Sequence, residues 1–122
     1  MYLYLLRHGV TEWNSQYKIQ GASDIPLNQK GEEMAGQTGK TLKNKGVIFD
    51  AVYSSPLVRA MRSAVLVSDS KEIHPDERLR EMGFGRQEGE TVLRMAESDM
   101  PFRYFKENPK GVNEMCKVCC IC

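Results

Sequence analysis

The first apolar block of the chain, "YLYLL" at residues 2–6, is continuous and is followed by a breaker at Gly9. A short unbroken run of this kind predicts a strand covered on both faces, as in a parallel sheet. From Thr11 the pattern allows a short helical stretch, and "QGASDIPLNQKG" (20–31), dense in Gly, Pro, Asp and Asn, reads as a loop. Residues 30–45, "KGEEMAGQTGKTLKNK", predict a helix with acids early and lysines late, stopped by Gly46. Its internal Gly36 and Gly39 either weaken that helix or allow close packing.

A second apolar block, "VIFDAVYSS" (47–55), is rich in β-branched and aromatic residues and predicts a second strand. Ser55 is then expected to cap a helix whose first residue is Pro56. The helix continues through "LVRAMRSAVLVSDS", with Leu57, Met61, Ala64 and Val65 on one face. A brief apolar moment at Ile73 suggests a third strand, and helical signals return over 90–107, broken by Pro101. Strand and helix alternate, which is the α/β pattern.

Composition narrows the class. The chain has 122 residues, 41% hydrophobic, enough for one domain with one core. The charged 27% nearly cancels to a net +1, which argues against a nucleic-acid or membrane-surface binder. No run approaches the ~18 apolar residues of a membrane-spanning helix. The N-terminus has neither a basic region nor a cleavage site of signal-peptide type. The expected location is cytoplasmic. All four cysteines (Cys116, Cys119, Cys120 and Cys122) fall in the last seven residues, so no disulfide framework is expected in the body.

Two strand ends carry arginine. "LRHGVTEWN" (6–14) puts Arg7 and His8 behind the first block, and "SSPLVRA" (54–60) puts Arg59 in the first turn of the following helix. In α/β sheets ligands sit beyond the carboxyl ends of the strands, where helix N-termini also attract anions. Two arginines can fork around phosphate oxygens, and Thr11, Asn14 and the Gln20-Gly21 turn can add neutral donors. Taken singly, these residues read as ordinary: a loop histidine, a solvated helix arginine, an exposed Glu81 in "LREMGFGRQEG" (79–89). Together they point to a phosphate-sized anion site containing a histidine.

"LRHGVTEWN", "GASDIPLNQKG", "YSSPLVRAMRSA" and "LREMGFGRQEGE" resemble, in order, the signature segments of the histidine phosphatase superfamily, the phosphoglycerate mutase-like proteins. The resemblance implies a three-layer α/β/α sandwich with a mostly parallel sheet. It implies that His8 takes a phosphoryl group onto a ring nitrogen, that Arg7 and Arg59 bind its oxygens, and that Glu81 is the general acid and then the base. Thr11, Asn14, Gln20 and Gly21 match positions lining the phosphate or substrate pocket. No cofactor and no metal is implied, since arginines can supply the charge stabilisation. The expected ligand is a small phosphorylated metabolite; homo-oligomerisation stays open. Phosphomonoester hydrolysis through a phosphohistidine is the favoured activity. The alternatives are phosphoglycerate mutase-type transfer and a silent remnant that binds phosphate ligands or a partner.

The sequence also departs from the family pattern. A second histidine, in a Ser-His-Gly type segment well downstream, has no counterpart, because His74 lies upstream of Glu81 in another context. Gln87 stands where the family usually has tryptophan. Residues 1–109 therefore read as the N-terminal part of a histidine phosphatase domain, incomplete on its C-terminal side. Residues 110–122 read as a Cys-rich tail outside the pattern. An altered C-terminus, a thiolate pair at Cys116 and Cys119, and a lipidation-like "CCIC" end are the readings of that tail, beside an ordinary one. The expectation is a marginal folder with weak or no turnover.

Overall fold

The computed structural model describes residues 2–70 and 72–97. In chain order the elements are α1 (Glu12–Ser15), α2 (Gln29–Asn44), β1 (Tyr53–Ser54), α3 (Val58–Ser68), β2 (His74–Pro75) and α4 (Val92–Glu97). Two short 3-10 turns, Glu77–Leu79 and Gly85–Gln87, separate β2 from α4. The second half of the predicted 90–107 helix and the Cys-rich tail lie outside the described residues.

Helix α2 begins at Gln29 because the Asn28 side chain accepts the Gly31 N–H at 2.9 Å. It ends at Lys45, and Gly46 follows with φ +75°, the left-handed stop that glycine adopts without strain. Gly39 marks the crossing with α3: an added Cβ would lie 2.5 Å from the Leu66 carbonyl oxygen. Gly36 faces open space, so of the pair Gly36 and Gly39 it is Gly39 that serves close packing. Gly31 makes the same kind of approach to the first loop, where an added Cβ would lie 2.0 Å from the Val10 carbonyl oxygen.

Strands β1 and β2 run parallel, with Tyr53 opposite His74 and Ser54 opposite Pro75, and bear out the α/β reading. Two expectations need correction. Residues 2–6 are not a buried strand: Tyr2 is 90% and Leu3 79% exposed, and none of their backbone groups joins a backbone hydrogen bond among the described residues. The predicted 47–55 strand is likewise reduced to two residues. An apolar run becomes a strand only when a neighbour supplies ladder partners, and none of the described residues does so here.

Helix α3 departs from its expected start and face. It opens at Val58, two residues after Pro56, and Leu57 in its capping position has no side-chain acceptor to offer. Asp24 supplies the cap instead, its Oδ1 accepting the Val58 N–H at 2.7 Å, while the Ser55 hydroxyl only braces the Leu57 N–H at 3.4 Å. The buried side of the helix is Arg59, Ala60 and Ser63, with Leu57 just ahead of it; Val65 is exposed. The expected apolar face is rotated because the most deeply buried layer of the molecule is polar. Among the described residues, Thr11, Gln20, Ser54, Ser55, Arg59 and Ser63 are buried, against only Ala35, Leu57 and Ala60 among apolar side chains.

Candidate active site

That polar layer lies where the loop after residues 2–6 meets the start of α3. Gly9 donates its N–H to the Ser63 hydroxyl at 3.0 Å, and that hydroxyl donates in turn to the Arg59 carbonyl at 2.8 Å. Gly9 has no space for a side chain, since an added Cβ would lie 2.5 Å from the Gly31 carbonyl oxygen. The loop bearing His8 is thereby pinned between the first turn of α2 and the middle of α3.

His8 is half-buried, and its Nδ1 lies 2.6 Å from the Gly9 carbonyl oxygen. A carbonyl only accepts, so Nδ1 keeps the hydrogen and the neutral ring has its lone pair on Nε2. Burial pulls the His8 pKa below its ordinary 6.5. The bond to Gly9 opposes this, Arg59 and Arg7 reinforce it, and Glu81 opposes it again. At neutral pH the ring is therefore uncharged, the form able to act as a nucleophile.

Arg59 is the largest fully buried side chain among the described residues, 1% exposed. Its guanidinium donates to the Ser23 carbonyl at 2.7 Å and the Gly21 carbonyl at 2.8 Å, so it holds the 20–24 loop as well as charging the site. Burying an ionised group is costly unless its donors are used, and these carbonyls use two of them. Arg7 is exposed and acts on His8 through its charge. Glu81 is half-buried, and its Oε1 accepts the Met82 N–H at 3.1 Å. Arg7, Arg59 and Glu81 are thus all within electrostatic range of His8.

Thr11 and Asn14 form a reciprocal cap on α1. The Asn14 Oδ1 accepts from the Thr11 N–H at 3.0 Å and from its hydroxyl at 3.1 Å, and the Asn14 N–H donates to that hydroxyl at 3.2 Å. Thr11 is wholly buried, so its hydroxyl is spent inside the fold. Gln20 is also buried, and its Oε1 has no hydrogen-bond partner among the described residues. Gly21 adopts φ +53°, and an added Cβ would meet the Glu88 carboxylate at 2.5 Å.

Glu88 is a site-supporting residue that sequence reasoning missed. It accepts from the backbone N–H groups of Ala22 at 3.0 Å, Ser23 at 2.8 Å and Phe84 at 2.8 Å, and from the Ser23 hydroxyl. Burial pushes its carboxyl up, but these hydrogen bonds outweigh that and hold it below the ordinary glutamate value. Ser63 and Asp24 were missed too. The signal for Ser63 was its spacing, one helical turn after Arg59; Asp24 and Glu88 act across 34 and 65 or more residues and gave none.

Residues 3–115 match the histidine phosphatase superfamily (branch 1) family model. The chain belongs to this superfamily. Over 103 residues it is 37% identical to a probable phosphoglycerate mutase, GpmB, of Salmonella arizonae, covering 83% of this chain and 47% of that protein. Its fold superposes with TM-score 0.74 on a phosphoserine phosphatase from Entamoeba histolytica, crystallised with 3-phosphoglyceric acid. That pair shares 38% identity over 86% of this chain and 51% of the other. A phosphoglycerate mutase from Bacillus anthracis gives 0.72 at 31% identity, covering 94% and 54%. The phosphoglycerate mutase-like α/β fold expected from the sequence is the fold observed. The chain spans about half the length of the relatives it matches. No helix among the described residues is long and apolar enough to cross a membrane.

Proposed function

We propose that this chain carries the phosphoryl-accepting half of a phosphomonoester hydrolase, with His8 as the nucleophile. The observation behind the reading is the hydrogen bond from Nδ1 to Gly9, which leaves the Nε2 lone pair on an uncharged ring beside Arg59. In the first displacement Nε2 attacks phosphorus, the bond from phosphorus to the ester oxygen breaks, and the Glu81 carboxyl protonates the departing alkoxide. In the second, the Glu81 carboxylate takes a proton from water, the hydroxide attacks phosphorus, and the phosphorus–nitrogen bond breaks, returning free imidazole and inorganic phosphate. Arg7 and Arg59 offset the charge on the transferring oxygens. Asn14, Gln20 and the Gly21 turn complete the proposed pocket, with the Gln20 Oε1 buried in its wall and lacking a hydrogen-bond partner among the described residues. Thr11, wholly buried, serves this pocket by fixing Asn14.

The expected substrate is a small phosphorylated metabolite. Support for hydrolysis comes from the phosphoserine phosphatase likeness, and the GpmB likeness favours a second reading, phosphoryl transfer between hydroxyls of phosphoglycerate. Incubation with phosphoserine and with 3-phosphoglycerate separates them. Release of inorganic phosphate that His8→Asn abolishes supports the hydrolase. Isomerisation of phosphoglycerate without release supports the mutase, and anion binding with neither leaves a silent binder.

A further inference from the structure

We propose that Glu88 is the positioning residue for Arg59. Its carboxylate and the Arg59 guanidinium grip one loop from opposite sides, and that grip holds the guanidinium in place beside His8 before any phosphate arrives. This role rests on the reading of Arg59 as a phosphate-binding group and adds what keeps the group there.

The loop is residues 21–24, and its peptide groups carry the link. The Gly21 carbonyl accepts from Arg59 Nη2 at 2.8 Å, and the other end of the same peptide group, the Ala22 N–H, donates to Glu88 Oε1 at 3.0 Å. In a trans peptide the carbonyl and the N–H point in opposite directions, so cation and anion lie on opposite sides of one planar unit. Each charge polarises that unit in the sense that strengthens the other bond. Ser23 adds a second pair of links. Its carbonyl accepts from Arg59 Nη1 at 2.7 Å, while its N–H, at 2.8 Å, and its hydroxyl both donate to Glu88 Oε2.

Both sides of the clamp are anchored. Glu88 stands on a segment tied to the residue two before the loop: the Gly89 N–H donates to the Ile19 carbonyl at 2.8 Å, and the Ile19 N–H to the Glu90 carbonyl at 3.0 Å. The Phe84 N–H gives Oε1 a further donor at 2.8 Å. Gly21 leaves no slack, since an added Cβ would lie 2.5 Å from Oε1 and 2.7 Å from the Phe84 ring. On the other side the Asp24 carboxylate caps the Val58 N–H, so the loop is fastened to α3 at two adjacent residues. These donors keep the Glu88 carboxyl below its ordinary value, and thus ionised at neutral pH. An arginine has many rotamers, and fixing one of them in advance lowers the entropy cost of binding an anion.

The test compares the full chain with its Glu88→Gln and Ser23→Ala variants, first without ligand and then with inorganic phosphate. Nitrogen-15 NMR of the guanidinium, assigned by its loss in Arg59→Lys, reads how firmly the group is held. An NMR titration of His8 reads where its charge lies, because Arg59 and Arg7 lower that pKa and Glu81 raises it. In Glu88→Gln the Arg59 Nη groups are expected to rotate about tenfold faster, as a hydrogen bond to a charged group is lost. The His8 pKa is expected to move up toward 6.5 as the Arg59 charge withdraws. Loss of the Glu88 charge by itself would move it down, so the sign separates positioning from plain electrostatics. Ser23→Ala, which removes one donor, should give the same changes at smaller size, and it decides the matter if Glu88→Gln does not fold. Gly39→Ala, which crowds α3 at Leu66, should leave both readouts as they are in the wild type. Unchanged Arg59 rotation, or a His8 pKa that stays or falls, overturns the proposal. So does a phosphate Kd that fails to rise by about tenfold in folded Glu88→Gln. A wild type with Arg59 firmly held but no phosphate binding overturns the reading of Arg59 instead, and leaves the clamp standing.

Discussion

Burial and two arginines disfavour the charged form of His8, and one backbone carbonyl decides which nitrogen keeps its hydrogen. Because the folded pKa lies below 6.5, the ring stays neutral in the folded state where the unfolded chain has begun to protonate. The associated stability is fully present above pH 6.5 and is lost as pH falls through the folded pKa. Urea titrations at pH 7.5 and 5.5 should therefore show a larger acid loss for the wild type than for His8→Gln, and an NMR titration should place the His8 pKa below 6.5. Glu88 is the other residue whose environment defines it. Glu88→Gln puts amide hydrogens against backbone donors, and with bonds to charged groups worth about 1.5–3 kcal/mol, a loss of about 2 kcal/mol in denaturant unfolding is expected. At this scale the sequence pointed to candidate side chains for the chemistry but not to the ones that hold them. Arg7, His8, Arg59 and Glu81 sit in recognisable segments, whereas Glu88 is defined by N–H groups more than sixty residues away.

Helix α3 illustrates the same limit for an element. Its existence and length were legible from period and flanking signals, but its start was not, because the cap comes from Asp24 on a separate loop. Asp24→Ala is expected to cost about 1 kcal/mol as a lost N-cap, and Ser55→Ala well under half of that. The opposite ranking in chemical denaturation would return the cap to Ser55. The glycines of α2 are equally specific. Gly39→Ala pushes a methyl group into the Leu66 carbonyl and is expected to destabilise by about 1–3 kcal/mol through overpacking. Gly36→Ala meets nothing and should stabilise the helix by up to about 1 kcal/mol. The rotated buried face of α3 was illegible for a physical reason: an apolar stripe predicts burial against a core, and this helix buries an arginine and a serine against the polar loops that carry His8 and Gly21.

For the whole molecule, the family and fold were readable because four motifs in order reflect one site assembled from distant segments. The unpaired state of residues 2–6 was not readable from the run itself, since strand formation depends on a neighbour as much as on composition. A chain with Tyr2, Leu3 and Ile48 in solvent should bind an apolar fluorescent dye strongly, and Leu3→Lys together with Ile48→Lys should abolish most of that binding while leaving α2 and α3 folded. The account as a whole turns on Nε2 of His8 as the acceptor of a phosphoryl group. Its most direct test is 15N–31P NMR of ring-labelled protein, held at alkaline pH after incubation with a phosphomonoester. A phosphoryl group coupled to Nε2, lost on acidification and absent from His8→Asn, is the predicted result. Phosphate on Nδ1, or anion binding that never labels His8, would contradict it.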